Sequence, residues 1–121
     1  MARSAQALRT LRVLAVGFLL FAMLACSLEP APTAKSFEGK WKSSKMITPL
    51  YMHPNGEWEI KKDDDRVLQY GIWQYQGNAI EWTFKLNGEV FNEVNAVLAT
   101  GASGFKLRET DGSISTFSRL D

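Results

Sequence analysis

From Phe37 onward, apolar and polar residues alternate with a period of two, the signature of β-strands buried on one face. Phe37–Lys42 puts Phe37, Gly39 and Trp41 on one side and Glu38, Lys40 and Lys42 on the other. Met46–Met52 is apolar but interrupted by Pro49, which cannot donate to a ladder, so it reads as an edge strand or a loop. His53-Pro54-Asn55-Gly56 is a turn, after which Glu57–Lys61 alternates again with Trp58 and Ile60 inward. Lys62–Arg66 is a charged hairpin loop. In the long strand Val67–Gln76 the alternation blurs at Gly71, where a glycine marks a bulge or a close approach of two backbones. Gln76-Gly77-Asn78 turns the chain into the most regular strand, Ala79–Leu86, with Ile80, Trp82, Phe84 and Leu86 inward and Glu81, Thr83 and Lys85 outward. Asn87-Gly88 is a two-residue hairpin signal leading into Glu89–Thr100, a long strand of mixed facing in which Glu89–Ala99 also fits a helix weakly. Phe105–Arg108 and Ser113–Leu120 complete the series, separated by turns at Gly101–Gly104 and Thr110–Gly112.

The expected fold is all-β. Seven or eight short strands joined by tight turns make a small antiparallel up-and-down meander, and so many strands either close on themselves or leave sticky edges. A barrel or a strongly rolled sheet is therefore predicted over residues 37–121. The 36 residues before it have a different pattern. Arg3, Arg9 and Arg12 precede an apolar run from Val13 to Leu24, which has the length of a cleaved secretory signal peptide and falls short of the ~20 residues of a membrane span. Ser27–Ser36, with Pro30 and Pro32 and no periodicity, reads as an extended tether.

Charge changes the picture once the expected signal, residues 1–25, is set aside. The other 96 residues carry 11 Lys and Arg against 13 Asp and Glu, a net charge of −2, so the overall +1 belongs to the signal. No basic excess is left to attract nucleic acid. A single cysteine, Cys26, excludes a disulfide within the chain. Aromatic residues compensate: of 14 Phe, Trp and Tyr, only Phe18 and Phe21 lie in the signal, so a few large rings are expected to fill most of the interior.

Two resemblances follow. Met23-Leu24-Ala25-Cys26, at the end of the apolar run, resembles the lipobox of bacterial lipoproteins, with Met23 and Leu24 as mild departures from its pattern. That resemblance implies lipidation of Cys26 (palmitate among the acyl groups), cleavage before it, and a place in the bacterial cell envelope. Ser27 after the cysteine implies delivery to the outer membrane, facing the periplasm. Gly39-Lys40-Trp41 in the first strand, with Phe117-Ser118-Arg119 in the last, is similar to the Gly-x-Trp and closing Arg of lipocalin-like barrels. It implies that Arg119 lies across Trp41 and seals the barrel floor with Gly39. The folded part, residues 36–121, is about half the size of a full lipocalin, so a roomy cavity is not expected.

Chemistry is sparse. Nucleophilic catalysis needs an activated Ser or Cys beside a base, and His53 is the only imidazole, placed in a turn. Asp63, Asp64 and Asp65 lack the spacing of a calcium loop, and nothing resembles a zinc set. The chain is expected to be no enzyme and to need no metal or cofactor. Gln69 and Asn92 are polar residues expected to fall among inward positions. The leading expectation is a lipid-anchored binding domain that holds a small, partly apolar ligand weakly, using Trp58, Trp73, Trp82, Phe84, Tyr70 and Tyr75. The tyrosines Tyr51, Tyr70 and Tyr75 are expected to gather near the open end. The alternative is a structural or protein-interaction lipoprotein with a filled barrel, whose partner is another envelope protein.

Overall fold

The computed structural model describes residues 31–121. The expected signal peptide, Cys26 and the expected tether up to Pro30 lie outside the described residues. Within them, eight antiparallel strands form a closed barrel in sequence order, the meander that the alternation predicts. They are β1 (Gly39–Ser43), β2 (Leu50–Met52), β3 (Glu57–Lys61), β4 (Val67–Gln76), β5 (Ala79–Leu86), β6 (Glu89–Gly101), β7 (Gly104–Arg108) and β8 (Ile114–Arg119). Closure comes from β1 pairing with β8, in the register Trp41 opposite Arg119 and Ser43 opposite Phe117.

Phe37 corrects the expected start of the first strand. It ends a 3₁₀ helix, Ala34–Phe37, which takes up the last three residues of the expected tether. Thr33 and Ser36 form a capping box at its start. The helix plugs one end of the barrel. Phe37 is fully buried, its ring 4.8 Å from that of Tyr75 and edge-on to Phe105 at 5.0 Å, and its carbonyl accepts a hydrogen bond from Trp41 Nε1 at 2.9 Å. The Arg119 guanidinium carbon lies 4.2 Å from the Trp41 ring centroid, and Arg119 Nη1 donates to the Glu38 carbonyl. Gly39 is required here. Its φ of +131° is a glycine conformation, and a Cβ would lie 2.5 Å from Arg119 Nη1. Helix, Trp41 and Arg119 together close this end.

The core runs up the barrel from there. Phe105 stacks on Phe117 at 4.6 Å and meets Trp41 edge-on at 4.7 Å, while Trp58, Trp82 and Phe84 form a second aromatic group in T-shaped contacts of 6.0 and 6.4 Å. Two register shifts explain where the alternation blurs. Leu68 is the extra residue between the pairs Ile60–Gln69 and Lys61–Val67, and Leu98 the extra one between Val97–Leu107 and Ala99–Lys106. Gly71 itself is in register between Trp58 and Phe84. Its role is close approach: a Cβ there would meet the Thr83 carbonyl oxygen at 2.0 Å and Trp58 Nε1 at 2.7 Å.

Candidate functional site

The end opposite the 3₁₀ helix is ringed by the β1–β2, β3–β4, β5–β6 and β7–β8 connections. Strand length decides its shape. β4 and β5 pair only from Gly71–Phe84 to Gln76–Ala79, so Val67–Tyr70 on one side and Lys85–Leu86 on the other continue past the last pair. They remain paired to β3 and β6 instead. The wall therefore parts, leaving an open groove of about 1160 Å³. Trp58, Ile60, Leu68, Tyr70, Phe84 and Leu86 supply much of its apolar lining. Leu86, expected inward, is 52% exposed because the β5–β6 hairpin projects beyond β4.

A smaller pocket of about 150 Å³ adjoins the groove across Trp58 and Ile60, which line both spaces. It lies at the barrel mouth beside Met46 and Leu50, and Trp82, Asn95, Phe117, Glu93 and Glu109 complete it. Polar groups concentrate on this side. Glu109 accepts from Ser115 Oγ at 2.6 Å and pairs with Lys45 Nζ at 3.1 Å, and Glu93 accepts from Thr110 Oγ1 at 3.1 Å. Lys45 also donates to Ser113 Oγ. The Asp111 carboxyl, in the adjoining turn, is held below its ordinary pKa by hydrogen bonds from the Ser113 hydroxyl and backbone N–H.

The expected ligand-binding residues divide between the two ends. Trp58, Phe84 and Tyr70 line the groove, and Trp58 and Trp82 the smaller pocket. Trp73 and Tyr75 belong to the closed end. Trp73 Nε1 donates to the carbonyls of His53 and Glu57, tying down the β2–β3 turn, and Tyr75 packs on Phe37 and donates to Asn78 Oδ1. The three tyrosines do not gather. Tyr51 lies on the outer wall, with Lys61 Nζ 4.6 Å from its ring centroid and His53 stacked on it, and a hydrogen bond to Tyr51 raises the pKa of Lys40. His53 Nε2 is 2.6 Å from Glu59 Oε1, an outer-wall contact of the same cluster.

Of the two polar residues expected inside, Gln69 lines the groove. Asn92 faces outward, where its Oδ1 accepts from Thr83 Oγ1 at 2.7 Å. The buried amide is Asn95, only 4% exposed, whose Oδ1 accepts from Trp82 Nε1 at 2.9 Å. Sequence reading missed it because the extra residue at Leu98 shifts the parity of β6, so counting back from the β6–β7 turn puts Asn95 on the wrong face. Counting across from Ile80 through Asn87-Gly88 would have found it. No group of three His, Cys, Asp or Glu side chains that could hold a metal occurs among the described residues. Comparison with protein-family models, with curated proteins and with solved structures yields no match.

Proposed function

We propose that the chain is a lipid-anchored envelope protein whose barrel binds a small, partly apolar ligand in the groove where β4 and β5 part. The observation that carries this reading is the groove. Aromatic and aliphatic side chains from four strands line a concave surface, the kind of site in which apolar molecules lodge. The rest of the barrel is packed with its own rings, so the ligand lies in the wall and mouth rather than deep inside. An open groove leaves part of a ligand in water, and micromolar affinity is expected. The eight-stranded meander, with Arg119 across Trp41 at its plugged end, supports a lipocalin-like kinship. The lipobox-like Met23–Cys26 supports the anchor and the address, with the outer membrane facing the periplasm as the destination.

Titration with an environment-sensitive apolar dye tests the groove. Leu86→Asp, a change at a half-exposed groove position, places a charge on the apolar surface and should weaken dye binding by about tenfold or more while leaving the barrel folded. Unchanged affinity in Leu86→Asp sinks the groove as the site. A second reading, docking of an envelope protein, is favoured by Val94, which stands 57% exposed on the outer wall and outside the groove lining. It predicts co-purification of a stoichiometric protein partner that is lost on Val94→Glu.

A further inference from the structure

Asn95, a lining residue of the mouth pocket, carries a buried and unused donor. Indole Nε1 can only donate, so the hydrogen bond from Trp82 fixes which end of the Asn95 amide is oxygen and leaves Nδ2 pointing elsewhere. Nδ2 is buried and finds no acceptor in the protein, although Asn95 lines the pocket. A buried donor without a partner is destabilising, and a bound acceptor would remove that penalty. Trp58 Nε1, in the wall shared by pocket and groove, is likewise buried and unpartnered.

Charge decides what kind of acceptor fits. Glu93 and Glu109 both line the pocket, no Lys or Arg does, and Lys45 is paired with Glu109. A carboxylate or phosphate entering there would meet net negative charge, whereas an uncharged carbonyl would not. Hydroxyl groups beside that carbonyl would in turn find acceptors in the two glutamates. The space of about 150 Å³ admits a few heavy atoms, and it meets the apolar groove at Trp58 and Ile60.

The geometry points to the mouth pocket as the head-group site for an acylated polyol, a neutral ester whose carbonyl accepts from Asn95 while its acyl chain lies in the groove. This assignment rests on the groove being a ligand site and adds a rule of selection: neutral esters over the corresponding free acids.

The full-length protein, purified as its host makes it, would be titrated with a medium-chain monoacylglycerol and with the fatty acid of the same chain, following tryptophan emission. The ester should bind about tenfold or more tightly than the acid, the factor expected when a hydrogen bond is gained and a charge clash avoided. Asn95→Asp, assayed at alkaline pH so that its carboxyl is ionised, keeps the oxygen that Trp82 needs and removes the donor, so ester affinity should fall about tenfold. Glu93→Gln removes a negative charge from the pocket and should raise fatty-acid affinity several-fold, narrowing the preference for the ester. Equal binding of ester and acid, as expected if Asn95 meets only water, overturns the head-group site but leaves the groove standing. If neither lipid binds, the groove falls as well. Should Asn95→Asp fail to fold, as checked by its melting curve, Glu93→Gln decides alone, and an unchanged preference between ester and acid refutes the assignment.

Discussion

Gly71→Ala tests how the groove is held open. The added methyl would stand 2.0 Å from the Thr83 carbonyl oxygen, 1.4 Å short of the 3.4 Å where ordinary contact begins, and would also press on Trp58 Nε1. A flexible side chain could turn away, but the Thr83 oxygen is backbone and Trp58 is only 5% exposed, wedged against Trp82 and Phe84. Relief therefore needs β4 to move off β5 by about 1 Å at Gly71–Phe84, the last pair before the strands part, which weakens the ladder there. Overpacking costs about 1–3 kcal/mol and a lost hydrogen bond about 1 more, for a total of about 2–4 kcal/mol. In a domain of this size that lowers the melting temperature by about 10–30 °C. Gly77→Ala is the control: with φ of +60° and nothing within 4 Å of an added Cβ, it carries only the left-handed strain of about 1–2 kcal/mol. Urea unfolding followed by tryptophan fluorescence measures both. If Gly71→Ala is no less stable than Gly77→Ala, the close approach of β4 and β5 is wrong, and so is the account of the groove's floor.

Trp41→Ala removes a fully buried ring, together with its hydrogen bond to Phe37 and its contact with Arg119, and should cost about 3–5 kcal/mol by chemical denaturation. An unchanged unfolding midpoint would mean the plugged end does not depend on that ring. Desolvation opposes ionisation of Asp121, but hydrogen bonds from the Lys40 N–H and the Arg119 guanidinium outweigh it and hold the Asp121 pKa below its ordinary value. A depressed folded-state pKa adds stability that is present above the unfolded value, about 3.9, and is lost as pH falls through the folded one. Asp121→Asn should therefore flatten part of the acid limb of a stability–pH curve, and an identical limb in the variant would contradict the pairing. Cys26→Ser should abolish palmitate labelling and release the protein from membranes, whereas a variant still in the membrane pellet would rule out the anchor.

The architecture was legible because alternation survives wherever one wall faces water. Trp58–Ile60, Ile80–Phe84 and Phe105–Leu107 each announce their inward face, and Asn87-Gly88 and Asp111-Gly112 announce their turns. Single extra residues were not legible. Leu68 and Leu98 look like ordinary aliphatic positions, yet each reverses the facing of everything beyond it, which hid the buried Asn95. The short 3₁₀ helix was missed because four residues are too few for a helical period, and Phe37 fits a strand pattern equally well. The groove was beyond sequence reading altogether. It depends on where the pairing of β4 and β5 stops, a mismatch in length between neighbouring hairpins.

Closure through β1 and β8 also sets the order in which the chain can fold. Trp41 and Arg119 pair across 78 residues, so the seam cannot form until nearly the whole domain is available. Loop-closure entropy makes such a distant pairing slow, and until it forms β1 and the most recently added strand both present bare edges. A chain crossing a membrane from its amino terminus would emerge with β1 first and its partner last. The interval between them is when this barrel is most exposed to aggregation and most in need of a chaperone.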